Sequence, residues 1–88
     1  MGPFKIIIRP SVRKDIRGLP INLVNRIIAV IESLGHDPFP SGVVKFEGAD
    51  KTFRIRVGEY RIVYRFTVAD KLIEILHTRH SRDVYRKL

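Results

Sequence analysis

Four arginines, Arg54, Arg56, Arg61 and Arg65, fall within twelve residues of an alternating stretch, Phe53-Arg54-Ile55-Arg56-Val57-Gly58-Glu59-Tyr60-Arg61-Ile62-Val63-Tyr64-Arg65. With Gly58-Glu59 as a two-residue hairpin loop, glycine first, Val57 pairs with Tyr60 and Arg56 with Arg61. Ile55 then pairs with Ile62, and Arg54 with Val63. One face collects Phe53, Ile55, Val57, Tyr60, Ile62 and Tyr64. The other collects Arg54, Arg56, Arg61, Val63 and Arg65. Like charges opposite each other across a strand pair repel, at a cost of tenths of a kcal/mol. An arginine cluster on a rigid sheet suits a phosphate backbone, because guanidinium forks match phosphate oxygens. The bland alternative is a solvated face neutralised by carboxylates from elsewhere in the chain.

A second run, His77-Thr78-Arg79-His80-Ser81-Arg82-Asp83-Val84-Tyr85-Arg86, places two histidines, three arginines and a tyrosine within ten residues. Arginine binds phosphate, tyrosine stacks on bases, and histidine moves protons near neutral pH. Tyr85 reads equally as a helix residue packed on the sheet. His77 reads as a core or edge histidine of a strand. His80 stands at the strand end, where active residues collect. His36, in a Pro-rich loop, reads as structural. Histidines at 36, 77 and 80 in a chain without cysteine match no recognised metal-ligand spacing, and no Gly-rich phosphate loop precedes a helix. No metal and no cofactor are expected.

The elements that must hold these residues are legible in the apolar spacing. Phe4 to Ile8 reads as a first strand closed by Arg9-Pro10. Ser11 reads as the N-cap of a short helix carrying Val12, Ile16 and Leu19 and ending near Gly18. Ile21, Val24, Ile27, Ile28, Ile31 and Leu34 recur at three- and four-residue steps, the face of a helix of about four turns. Gly35 reads as its C-cap, and His36 to Gly42 as a loop. Val43 to Phe46 reads as a short strand and Gly48-Ala49-Asp50 as a turn. Thr52–Val57 and Tyr60–Val68 form the hairpin. Ala69-Asp70 turns the chain into an interior strand, Lys71 to Thr78. Ser81 caps a short C-terminal helix or tail carrying Val84, Tyr85 and Leu88. Helices segregated from hairpins predict an α+β fold, with two N-terminal helices on one face of a small, twisted, mostly antiparallel sheet.

Composition narrows the function classes. Eighty-eight residues, 44% hydrophobic, are expected to form one domain, residues 1–88, with no room for a separate cofactor domain. The absence of cysteine excludes disulfide scaffolds and thiolate metal sites. No apolar run approaches the ~20 residues of a membrane span, and the start is too short for a signal peptide, so a cytoplasmic protein without membrane contact is expected. Seventeen basic against nine acidic residues give a net charge of +8, as expected of a domain that meets a polyanion or an acidic protein.

The hairpin Phe53-Arg54-Ile55-Arg56-Val57-Gly58-Glu59-Tyr60-Arg61-Ile62-Val63-Tyr64 resembles the "Y-R-I-R-V-G-x-Y-R-V-x-Y" hairpin of the RelE/ParE toxin superfamily. Val44-Lys45-Phe46-Glu47-Gly48 resembles its "K-L-x-G" strand, and His80-Ser81-Arg82-Asp83-Val84-Tyr85-Arg86 its "H-R-x-D-V-Y" close. The resemblance spans nearly the whole chain. It implies two helices on a small antiparallel sheet followed by a C-terminal helix. For RelE-type members it implies the toxin of a type II toxin–antitoxin module. Such a toxin is an mRNA interferase that enters the ribosomal A site and cuts the codon there. The 2′-hydroxyl attacks without a metal and leaves a cyclic phosphate. The implied partners are the ribosome, its mRNA and an acidic RelB-like antitoxin. The ParE branch instead poisons DNA gyrase by binding it, and a non-catalytic RNA- or ribosome-binding module is a third reading.

By the same resemblance Arg54 and Arg56 face the RNA, Arg61 binds the scissile phosphate, and Tyr85 stacks on a codon base. The C-terminal catalytic arginine falls on Arg79 or Arg82, according to how the ending is aligned. Lys45, Arg65 and Arg86 extend the expected RNA-binding surface. Where the family often carries lysine on the first hairpin strand, this chain carries arginine twice. A lysine in a cationic cluster can shed its proton, but arginine essentially cannot. Arg54 and Arg56 therefore suit charge stabilisation rather than proton abstraction. His80 is the expected base, with Tyr85 the alternative.

Overall fold

The computed structural model describes residues 4–46 and 50–80. Strand β1 (Lys5–Ile8) leads into helices α1 (Pro10–Arg17) and α2 (Ile21–Leu34). Strands β2 (Val44–Lys45), β3 (Thr52–Val57), β4 (Tyr60–Thr67) and β5 (Leu72–His80) follow. The five strands form one sheet in the order β1-β5-β4-β3-β2, antiparallel except for the β1–β5 pair. The expected α+β architecture is the one observed. The parallel pairing of β1 beside β5 is an addition that the local pattern did not contain. From β1 the chain passes through both helices and re-enters the sheet at β2, on the far edge, and this crossing brings the helices onto one face.

Each helix buries the stripe that its spacing dictates. In α1, Val12 and Ile16 stand four residues apart and both are buried. Arg9, not Ser11, occupies the N-cap position, and Pro10 takes the first helical position. Proline is suited there because its fixed φ is helical and its missing N–H was unpaired in any case. Lys14 and Arg17 sit in the last turn, where the helix dipole favours cations. In α2, Ile27, Ile31 and Leu34 are buried. Ile21, expected on that stripe, is exposed, at the very start of the helix. Gly35 keeps a right-handed conformation, so its φ is not the reason for glycine. A Cβ there would meet Ile6 Cδ1 at 3.0 Å and the Phe4 carbonyl at 3.2 Å. The close approach allows Phe4 N–H to donate to the Gly35 carbonyl at 2.7 Å, tying the helix end to the first strand.

The helix-facing side of the sheet supplies the rest of the core: Ile55, Val57, Ile62, Tyr64, Phe66, Ile73 and Ile75. The loop after α2 folds over one end of it. Phe39 meets Phe53 and Phe66 edge-on, with ring centroids 5.0 and 4.9 Å apart. Tyr64 is fully buried, and its hydroxyl donates to the Pro38 carbonyl. Burial, with the Asp37 charge adding to it, pushes the Tyr64 phenol up to about 12. The protonated phenol is thus the form the fold holds. Its contribution to stability is complete below the ordinary tyrosine pKa of about 10 and is lost as pH rises through about 12. Urea midpoints followed from about pH 9 to 12 should fall for the wild type by the equivalent of about 2 kcal/mol more than for Tyr64→Phe. Parallel curves for the two proteins would refute this. At neutral pH the same variant should cost about 1 kcal/mol for the lost hydrogen bond.

The hairpin register is the expected one: Val57–Tyr60, Arg56–Arg61, Ile55–Ile62 and Arg54–Val63. Gly58 has φ +61 while Glu59 does not take a positive φ, the arrangement of a loop with glycine first. The strand expected over Val43 to Phe46 is reduced to Val44–Lys45, and β4 ends at Thr67 rather than Val68. The last strand runs two residues further than expected, to His80. The expected turn at Gly48-Ala49-Asp50 lies mostly outside the described residues, and the expected helix or tail from Ser81 to Leu88 lies wholly outside them. Among the described residues no helix is long and apolar enough to cross a membrane.

A candidate RNA-binding arginine face

The pairing of β5 with β4 decides what stands beside the hairpin arginines. Along β5, Leu72 to Ile75 follow the register of Thr67 to Tyr64, ending in Tyr64–Ile75. The next pair is Val63–His77, so Leu76 is one residue in excess. Such a bulge reverses the alternation of the strand beyond it. After the bulge Arg79 pairs with Arg61, and Arg61 pairs on its other side with Arg56. Three arginines from three strands thus form one row across the sheet face opposite the helices. The adjacent row on that face is Val44, Arg54, Val63 and His77.

Four of the expected site residues, Arg54, Arg56, Arg61 and Arg79, are therefore brought together. The Arg56 Nε donates to the Gly58 carbonyl at 2.7 Å, which steers that guanidinium toward the turn. Among the described residues, no carboxylate lies within ion-pair distance of Arg54, Arg56 or Arg79; the pairs Arg9–Glu74 and His80–Glu59 lie elsewhere. Beside the row is a cavity of about 220 Å³ lined by Gly42, Val44, Arg54, Ile55, Arg56 and Arg61. Of its lining, Gly42 belongs to the loop that Tyr64 and Phe39 anchor, and Val44 to β2. The arrangement is an open, cationic depression on a hydrogen-bonded sheet. Unlike a cluster of lysines, it holds its charge at any physiological pH.

Other expected members are placed differently. Arg65 is on the arginine face and its cross-strand partner is Glu74, but no ion pair joins the two. Arg9 donates to the same Glu74 at 2.9 Å. Lys45 pairs with Phe53, and the pleat puts it on the face opposite Arg54. His80 pairs with Tyr60 and lies on the helix side of the sheet. Its ring meets Tyr60 edge-on at 5.1 Å, and its Nε2 is 3.1 Å from Glu59 Oε1. It borders a groove between hairpin and helices with Pro20, Leu23, Arg26 and Glu59. The expectation that His80 shares the phosphate site with Arg79 is corrected: consecutive strand residues point to opposite faces. His77, read from the sequence as a core or edge residue, is instead exposed on the arginine face. His36 is exposed. Arg82, Tyr85 and Arg86 lie outside the described residues. No group of three His, Cys, Asp or Glu side chains converges among the described residues as a metal site requires.

Comparison with known proteins agrees with this fold. The profile of the ParE toxin of type II toxin–antitoxin systems matches residues 6–85. The chain belongs to the RelE/ParE toxin superfamily. It is similar to toxin RelG of Mycobacterium tuberculosis, with 26% identity over 97% of this chain and 99% of that one. It is also similar to RelE1 of Methanocaldococcus jannaschii, a toxin by name assignment, with 27% identity over 94% of this chain and 96% of that one. Among solved structures, RelE in the archaeal RelE–RelB complex from Pyrococcus horikoshii superposes with a TM-score of 0.81 at 29% identity, covering 89% of this chain and 94% of that one. The helices, the open sheet and the toxin assignment of this RelE/ParE member rest on these matches together with its own strand order.

Proposed function

We propose that this toxin is a ribosome-dependent mRNA endonuclease, which cuts the A-site codon by attack of a ribose 2′-hydroxyl on the adjacent phosphodiester. The observation that carries the reading is the Arg56–Arg61–Arg79 row, flanked by Arg54 and a cavity and spread over three hydrogen-bonded strands. Guanidiniums fixed in this way suit the charge that builds on a phosphorane, and they need no metal to do so. Arg61, central in the row, is the residue proposed to hold the scissile phosphate. Arg82 and Tyr85 are proposed as further members of the site, and Arg65 and Arg86 as peripheral contacts to RNA. The proposed cellular setting is the cytoplasm.

The solved complexes of RelE with RelB support a second partner, a cognate antitoxin. A chain of net charge +8 calls for an acidic antitoxin segment that orders itself on the arginine face. Inhibition of DNA gyrase is the competing activity, favoured by the ParE name of the matching profile. Purified protein added to ribosomes programmed with mRNA separates the two. Codon-specific cuts with unimpaired gyrase support the endonuclease, and gyrase inhibition with intact mRNA refutes it. Binding offers an independent check. In Arg56→Ala/Arg61→Ala, the plot of log affinity for ribosomes against log salt should flatten by between about one and two units, because two phosphate contacts are lost. The fold should stay intact by circular dichroism. An unchanged slope would remove both arginines from the interface.

A further inference from the structure

Among the described residues, neither the arginine row nor His80 offers the nucleophile's proton an acceptor. Arg54, Arg56, Arg61 and Arg79 keep their protons at any relevant pH. His80 stands across the sheet from them, against Tyr60 and Glu59. The bulge at Leu76 turns a different imidazole toward the arginines. Without the extra residue, His77 would follow Ile75 onto the helix side. With it, His77 pairs with Val63 in the row beside Arg61 and Arg79. Two residues along one strand span about 6.8 Å, and a diagonal neighbour on the next strand lies at about 7–8 Å between Cα atoms, within reach of long side chains. A 2′-oxygen poised for attack lies about 3–3.5 Å from phosphorus. A phosphate clamped by Arg61 and Arg79 would thus present its neighbouring ribose over the row of His77. The ring is exposed, as a group that must meet RNA has to be. Bulges are found beside active sites because they re-aim one side chain in this way.

We infer that His77 is the catalytic residue that removes the proton from the attacking 2′-hydroxyl; the inference rests on the endonuclease reading. As the proton passes to a ring nitrogen of neutral His77, the 2′-oxygen forms its bond to phosphorus. The bond from phosphorus to the 5′-oxygen breaks, and the departing oxygen takes a proton from solvent water. The products are a 2′,3′-cyclic phosphate and a 5′-hydroxyl. The imidazolium returns its proton to hydroxide. Among the described residues, the charged groups on this face are Arg54 and Arg56 from β3, Arg61 and Arg65 from β4, and Glu74 and Arg79 from β5, with Arg9 against Glu74. None of the guanidiniums changes its charge near neutrality, so an acid limb in the rate belongs to the imidazole.

The test is single-turnover cutting of ribosome-bound mRNA between about pH 5.5 and 9, a range that brackets the unperturbed histidine pKa of about 6.5. His77→Gln and His77→Asn, each checked for wild-type circular dichroism and ribosome binding, should cut roughly 10²–10⁴-fold more slowly. Both should also lack the rise in rate with pH that is expected of the wild type. His80→Gln should keep both the rate, within a few-fold, and the pH profile. Wild-type cutting by both His77 variants, in a series where Arg61→Ala is impaired, would overturn His77 and leave the endonuclease reading standing. So would a slower rate that keeps the acid limb, since that is a structural effect. A wild-type protein that leaves the mRNA whole overturns both.

Discussion

Arg61→Ala is expected to cut ribosome-bound mRNA roughly 10²–10³-fold more slowly than the wild type at saturating ribosome concentration, the usual loss for one preorganised charge-stabilising donor. Arg61 stands between Arg56 and Arg79, so it is the one guanidinium flanked by another on each neighbouring strand. A phosphate held there gains most of its charge in the pentavalent state, and the loss should appear in the chemical step more than in binding. Arg65→Ala, on the same face, should lose less than about tenfold, because this exposed cation stands outside the three-strand row, beside the Arg9–Glu74 ion pair. The measurement is the pair of single-turnover rates with ribosome affinity determined alongside. Equal losses for the two variants would mean that total charge, rather than the three-strand row, does the work.

The second large effect lies one residue away and on the other side of the sheet. Ile62 is fully buried, paired with Ile55 and Thr78 beneath the helices. Ile62→Ala should lower unfolding free energy by about 2–5 kcal/mol, the lost transfer energy plus the cavity left behind. For a domain whose whole stability is about 5–15 kcal/mol, that is a substantial fraction. The melting temperature should fall by on the order of 10 °C or more, at about 4–8 °C per kcal/mol. Arg61→Ala should leave it within a few degrees. Thermal unfolding followed by circular dichroism compares them directly. A smaller drop for Ile62→Ala than for Arg61→Ala would contradict the division of the sheet into a structural and a binding face.

That division was readable in β3 and β4 without coordinates. Strict alternation with a period of two, a glycine where the loop needs positive φ, and apolar residues on every second position leave one register that buries Ile55, Ile62 and Tyr64 together. The two helices were equally legible, because three- and four-residue steps such as Val12–Ile16 and Ile27–Ile31 suit no strand. Composition alone indicated the polyanion or acidic partner. The family resemblance names Arg79 or Arg82 as a site residue, but the local pattern does not place Arg79 in the row. Leu72, Ile73, Ile75 and Leu76 read as one apolar run, and nothing local marks Leu76 as the residue that falls out of register. Its place is decided by β4, whose Tyr64 must pair with Ile75 to bury both while Arg61 and Val63 keep to the other face. Long-range pairing thus selected Arg79 and His77 for the arginine face and sent His80 to the helices. A pleat can carry only one of two consecutive residues to a given side, and local sequence states the alternation but not its phase.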